Sequence, residues 1–275
     1  MPIHGAGATS GSDCERPVQL ITPASVAEFD ELAAQFLLRQ LEAKPAAVVA
    51  LPTVATPRGL YARLRAHATA DRALLREVRF FDLDEYVAFS AEDPLSFAHF
   101  LNRELFGPLG VPRANIRLLH GDATDPEREC TDYETALASA GGLDLAILGL
   151  GENGHIAFNE PGTPFDSVTH VARLAPETRA LQAHLFANAR VAPERGLTMG
   201  IATILGARAI LLLVAGASKR TALTELLRGI ADVSWPATSL YDHPALTVLC
   251  APEVTASGGV QEAVRRARAH GRNVW

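Results

Sequence analysis

The sequence predicts a three-layer α/β fold: a mostly parallel sheet with helices on both faces. Three observations predict it. Short apolar runs such as Ala47 to Leu51, Leu143 to Leu150 and Ala209 to Val214 have the length and character of buried strands. Stretches with apolar residues at helical spacing lie between them, so strands and helices alternate along the chain. Glycine-rich and acid-rich segments follow directly after the strands, where parallel α/β sheets keep their chemistry.

Taken in order, Ala24 to Leu41 reads as a helix that Thr22 or Ser25 can cap. Ala47 to Leu51 is a strand, Leu60 to His67 a helix and Val78 to Phe81 a strand. Leu95 to Leu105 predicts a helix, Ile116 to Leu118 a strand, Asp125 to Ala138 a helix and Leu145 to Leu148 a strand. Val168 to Leu174 then predicts a strand, Pro176 to Asn188 a mobile helical flap and Leu197 to Ile204 a helix. Ala209 to Val214 is a strand, Ser218 to Gly229 a helix, Leu246 to Cys250 the last strand and Ala263 to Ala269 an alanine-rich helix. No internal repeat is evident.

Composition narrows the function. The chain has 275 residues, 48% of them hydrophobic, enough to bury one large core. Met1 to Glu15 is rich in glycine and serine without an apolar core. It predicts a disordered extension over residues 1–16, not a signal peptide, ahead of a single α/β domain over residues 17–275. A net charge of -6 argues against nucleic acid as a partner. No apolar run approaches the length of a membrane span. Cys14, Cys130 and Cys250 are odd in number and widely spaced, which suggests neither a disulfide framework nor a clustered metal site and fits a cytoplasmic protein.

The segment Gly149-Leu150-Gly151-Glu152-Asn153-Gly154-His155-Ile156-Ala157-Phe158-Asn159-Glu160-Pro161 carries the most chemistry. Its glycines permit a tight turn, and His155 and Glu160 suggest general acid–base catalysis. Gly149-x-Gly151-x-x-Gly154 also fits the dinucleotide fingerprint, but Pro161-Gly162 breaks the helix that fingerprint needs, so no cofactor is expected. A plain loop histidine beside a solvated glutamate is the competing reading. Asp82-Leu83-Asp84-Glu85-Tyr86 puts three acids at a strand end, taken alone a solvated turn or an N-cap. Together, Asp84, His155 and Glu160 would supply two carboxylates and one imidazole at neighbouring strand ends. That set suits moving protons between adjacent carbon and oxygen atoms of a sugar. His155 and Glu160 have no third ligand at recognisable spacing, so no metal is expected. His67, His99 and His120 sit at helix ends or in loops, where a surface role is the default.

Leu83-Asp84-Glu85-Tyr86 and Gly149 to Gly162 resemble the two signature segments of the glucosamine-6-phosphate deaminase family. The resemblance extends through Leu51-Pro52-Thr53, Asn115 to Leu119 with Gly121-Asp122, Thr178-Arg179, Leu197 to Gly200 and Gly216 to Lys219. It covers roughly residues 17 to 255 in order. It implies a Rossmann-like fold of the sugar-phosphate isomerase/deaminase kind. The related 6-phosphogluconolactonases share the Gly-x-Gly-x-x-Gly-His core but lack the Phe-Asn-Glu-Pro continuation, present here as Phe158 to Pro161. The implied reaction converts glucosamine 6-phosphate to fructose 6-phosphate and ammonia. By resemblance, Asp84 shuttles protons during isomerisation, His155 assists ring opening, and Glu160 pairs with and tunes that histidine. Asn153 stands where some members have aspartate; an amide there fixes the imidazole by hydrogen bonding without adding charge. His243 resembles a structural turn of the family.

The phosphate subsite departs from the family pattern. Pro52-Thr53-Val54-Ala55-Thr56-Pro57 replaces a Thr-Gly-Gly or Thr-Gly-Ser turn, and β-branched Val54 resists positive φ. His184 falls where the family has an arginine, while Lys219 is kept. Arg58, at the start of the next helix, is an expected replacement for the missing charge. Two readings stay open: a retained phosphate site with Arg58, His184 and Lys219 as its cations, or a related amino sugar, unphosphorylated or galactosamine-type. A non-catalytic sugar-phosphate-binding homologue is a third. The positions at which allosteric members bind an effector are Thr163, Pro164, His170 and Ala172, which suit a phosphate poorly. The resemblance is compatible with a homo-oligomer, and the sequence does not fix the oligomeric state.

Overall fold

The computed structural model describes residues 18–53, 56–68, 74–183, 186 and 192–269. The extension predicted over residues 1–16 lies outside them, as do Val54, Ala55 and His184 and most of the flap beyond Ala183.

The described strands are β1 (Gln19–Ile21), β2 (Val48–Leu51), β3 (Arg79–Asp82), β4 (Asp84–Tyr86), β5 (Ile116–Arg117), β6 (Leu145–Gly149), β7 (His170–Arg173), β8 (Arg195–Thr198), β9 (Ala209–Val214) and β10 (Leu246–Cys250). Seven of them form one sheet in the order β1-β10-β9-β6-β2-β3-β5, parallel throughout. β4, β8 and β7 form a small antiparallel sheet. The helices are α1 (Val26–Ala43), α2 (Arg58–Ala68), α3 (Phe97–Leu101), α4 (Gly107–Leu109), α5 (Pro126–Ala140), α6 (Pro176–Gln182), α7 (Ile201–Leu205), α8 (Arg220–Leu227), α9 (Pro252–Thr255) and α10 (Gly258–Ala269). A π-helical stretch, Asn102–Phe106, joins α3 to α4.

Local chemistry explains most of these elements. Strands β2 and β10 are buried along their whole length, as expected of apolar strands between helical layers. Ser25 caps α1 by accepting from Glu28 N at 3.2 Å, and Phe29, Ala33, Leu37 and Leu41 bury one face at intervals of four. Asp125 caps α5, Pro126 opens it, and Gly141 ends it in the left-handed region with φ 96°.

Leu197 to Ile204, expected to be a helix, is instead the end of strand β8 followed by α7. Gly196 and Leu197 pair with β4 on one side and β7 on the other, so non-local hydrogen bonds override the local pattern. The expected helix over Leu95 to Leu105 begins two residues later, at Phe97, because Ser96 is its N-cap.

The order of the main sheet positions the site. From β2 the chain runs outward to β3 and β5, then returns to the other side of β2 for β6 and β9. The sheet order therefore reverses between β2 and β6, and the crevice outside the strand ends at such a point is where α/β sheets hold ligands.

Candidate active site

A cavity of about 430 Å³ opens at this crevice. Thr53 and Thr56 follow β2, Leu83 and Asp84 follow β3, Gly149 ends β6 with Leu150 to Glu152 and His155 after it, and Lys219 follows β9. Thr178, Leu181 and Gln182 of α6 close one side. Asp84, His155, Thr53, Thr56 and Lys219 are thus brought together, while Asn153 and Glu160 stand behind His155. Arg58 is not brought in: its guanidinium carbon lies 5.5 Å from the centre of the Phe100 ring, and Arg58 does not line the cavity. In this structure the Arg58 side chain lies over a ring of α3, so the arrangement does not support the expectation that it replaces a phosphate contact. Val54, Ala55 and His184 fall outside the described residues.

The loop after β6 is shaped around the imidazole. A methyl group at Gly151 would stand 2.4 Å from the His155 ring, so only glycine lets the ring pack there. Gly154 takes φ 84°, and a methyl group on it would also meet Trp235 at 2.8 Å. Gly149 is under neither constraint. No helix follows Gly154; residues 155–169 run as turns with one isolated bridge, Ile156 to Asn159, so the dinucleotide pattern lacks its helix. Asn159 fastens this loop by donating to Ile156 O at 2.9 Å and Met199 O at 2.8 Å.

A hydrogen-bonded chain orders the histidine. Asn153 Nδ2 donates to Glu160 Oε2 at 2.9 Å, and Asn153 Oδ1 lies 2.8 Å from His155 Nδ1. A carboxylate only accepts, so the amide oxygen must face the ring and Nδ1 must carry a proton. In the neutral imidazole this leaves Nε2 as the acceptor. The other Glu160 oxygen accepts from Ala175 N at 3.2 Å, and Thr178 Oγ1 lies 3.4 Å from His155 Nδ1. Burial alone would raise the Glu160 pKa; contacts from His155, Thr178 and Asn153 outweigh it and hold the value at about 2.

The three acids at the end of β3 and in β4, Asp82, Asp84 and Glu85, are buried, not solvated. Glu85 accepts from Tyr86 N, Phe97 N and Ala98 N at 2.8, 3.1 and 2.9 Å, so it serves as an acidic cap on α3. Asp82 accepts from Leu119 N, and burial pushes its carboxyl well above the usual range. Burial, and then the Glu85 charge, raise Asp84 to about 8. A carboxyl group with that value takes up and releases protons near neutral pH. Lys219 Nζ lies 3.8 Å from Glu152 Oε1; burial lowers its pKa against that pairing.

Reading the sequence alone singles out neither Glu152 nor the α6 face that lines the cavity. Thr178, Leu181 and Gln182 stand at i, i+3 and i+4, which puts them on one side of a helix and was a usable signal. Among the histidines outside the site, His67 pairs with Glu31 at 3.0 Å and His243 Nε2 reaches Ala207 O at 2.9 Å, both structural. No group of three or more His, Cys, Asp and Glu is placed to hold a metal, and no helix is long and apolar enough to cross a membrane, among the described residues.

A family model for glucosamine-6-phosphate isomerases/6-phosphogluconolactonase matches residues 23–248. The chain belongs to this family. A glucosamine-6-phosphate deaminase of Shouchella clausii is 41% identical over 236 residues, covering 86% of this chain and 95% of that protein. Glucosamine-6-phosphate deaminase 1 of Bacillus subtilis is 40% identical, covering 81% and 92%. The solved structure of a monomeric glucosamine-6-phosphate deaminase superposes with a TM-score of 0.84 at 36% identity, over 87% of this chain and 99% of that one. The 6-phosphogluconolactonase of Trypanosoma brucei shares the fold, with a TM-score of 0.70 at 22% identity over 87% and 98%. The family's fold is thus the one described above.

Proposed function

We propose that the chain is a glucosamine-6-phosphate deaminase, converting glucosamine 6-phosphate and water to fructose 6-phosphate and ammonia, with residues 17–275 as its single catalytic domain. One observation carries the reading: Asp84 and His155, the latter backed by Asn153 and Glu160, face one cavity that also holds Lys219. The names of its relatives support the same substrate. The buried thiols of Cys130 and Cys250 support a reducing, cytoplasmic setting.

The proposed steps use the groups that face the cavity. His155 Nε2 takes the proton of the C1 hydroxyl and returns it to the ring oxygen, which opens the ring to the aldehyde. Ionised Asp84 removes the proton from C2, giving an enolamine, and delivers it to C1. The aldehyde oxygen at C1 takes up the proton that the substrate ammonium releases, and protonation of C1 by Asp84 turns the C2 amine into a ketimine. Water adds to C2 and ammonia leaves, giving the ketose. Glu160 stays ionised throughout and holds the imidazole through Asn153. Lys219, with the hydroxyls of Thr53 and Thr56, binds the phosphate at the other end.

A second reading, an amino sugar without the 6-phosphate, is favoured by two observations: Arg58 is turned to Phe100, and Lys219 is paired with Glu152. Ammonia release from glucosamine 6-phosphate, free glucosamine and galactosamine 6-phosphate separates the two. A kcat/KM for glucosamine 6-phosphate far above the others supports the first; preference for an unphosphorylated sugar replaces it.

A further inference from the structure

Resting on that reading, we propose that Gln182 is a specificity-determining residue whose side-chain amide, positioned by Tyr86, donates to a sugar oxygen near the reacting carbons. Gln182 lines the cavity from the last turn of α6, and Tyr86 Oη donates to its Oε1 at 2.6 Å. With the oxygen engaged, the Nε2 group presents two donors and no acceptor, which fits a hydroxyl or carbonyl oxygen.

The anchor is rigid. Tyr86 is 1% exposed and its ring packs against Phe89, Phe97, Phe158 and Phe186 at centroid distances of 5.3, 4.7, 5.5 and 5.6 Å. Burial, and then the charges of Asp84 and Glu85, push the Tyr86 hydroxyl upward, so it stays a protonated donor at any working pH. Position along the wall follows from strand geometry. Asp84 and Tyr86 are two residues apart on β4, so both side chains point to the same face of that strand. Gln182 therefore stands on the Asp84 wall of the cavity. Lys219 belongs to the separate wall beyond β9. The amide serves the sugar end of the substrate, and phosphate recognition is left to Lys219.

The test compares Gln182→Ala, Tyr86→Phe and the double variant with the wild-type protein. Three readouts are used: turnover of glucosamine 6-phosphate, calorimetric binding of fructose 6-phosphate, and inhibition by inorganic phosphate. Gln182→Ala is expected to lower kcat/KM and fructose 6-phosphate affinity by about tenfold, the worth of one well-placed hydrogen bond. Inhibition by inorganic phosphate should stay within twofold, since that ion needs only the Lys219 end. Tyr86→Phe should reproduce most of the loss, and the double variant should be no worse than Gln182→Ala. Gln182→Ala within twofold of wild type on both sugars would overturn the assignment, as would an equal loss of phosphate inhibition. Additive losses in the double variant would overturn the positioning role of Tyr86. A wild-type protein that neither turns over nor binds these sugars would instead remove the proposed function itself, and this inference with it.

Discussion

Asn153 Oδ1 lies 2.8 Å from His155 Nδ1, and the same amide is oriented by its bond to Glu160. The imidazole is thus held by a neutral adaptor whose direction a carboxylate dictates. Asn153→Ala should lower kcat by roughly tenfold or more, part of the 10²–10⁴ that general acid–base catalysis supplies, with KM little changed. Steady-state kinetics checks this; an unchanged kcat would mean that Glu160, 3.5 Å from Nδ1, orients the ring without help.

Asp84→Asn should cost about 10² or more in kcat and little in KM. It should also stabilise the fold in a pH-dependent way. Folded, Asp84 keeps its proton up to about 8; in an unfolded chain it ionises near 3.8. Between those values the folded state binds more protons, so wild-type stability falls as pH rises through the window. Asparagine does not titrate, so the Tm advantage of the variant should widen from pH 4 to 8 and then level off. A gap independent of pH, measured by calorimetry, would contradict the burial argument.

Glu85→Gln should move the rising limb of the kcat/KM profile to lower pH. Glu85 is the charge that most raises Asp84 after burial, and removing a neighbouring negative charge eases ionisation. Its Tm should drop as well, because an amide cannot accept on both of its ends all three hydrogen bonds, two from α3 and one from Tyr86 N of β4. A fall in Tm with an unmoved pH profile would assign Glu85 to structure only.

Gly151→Ala forces a methyl group to within 2.4 Å of the His155 ring, so the imidazole must shift. A displacement on the order of 1 Å costs about 10²-fold in rate. Gly258→Ala, outside the cavity, meets nothing within 4 Å and serves as the control. Comparable kcat values for the two variants would refute the packing account.

Lys219→Ala should raise KM for glucosamine 6-phosphate severalfold or more, since hydrogen bonds to charged groups contribute roughly 1.5–3 kcal/mol. Arg58→Ala should leave KM within about twofold and affect only stability, by the roughly 0.5–1 kcal/mol of an exposed cation–π contact. An equal rise in KM for both would mean that Arg58 leaves Phe100 when substrate binds.

Much of this protein is legible in its sequence because the signals are local. The apolar runs of β2, β6, β9 and β10 identify the central strands, and their order with the helices dictates a parallel sheet. The loop after β6 announces His155 and Glu160, and its glycines mark a backbone that approaches a side chain closely. Strands β4 and β8 escape such a reading. They are three and four residues long, too short to show a period, and they exist because they pair with each other across about a hundred residues of sequence.

Tertiary structure alone decided the electrostatics and the reach of the long side chains. Asp82, Asp84 and Glu85 look like a solvated turn in sequence, yet burial and the α3 amide groups set which of them holds a proton. Arg58 had an anion-binding address by position, and a ring contributed by another helix turned it elsewhere. Gln182 reached the cavity because Tyr86, 96 positions earlier, met it there. The sequence determines which groups are present and which strand ends carry them. Desolvation and the direction of a side chain depend on neighbours distant in the chain, and only the packed fold supplies those.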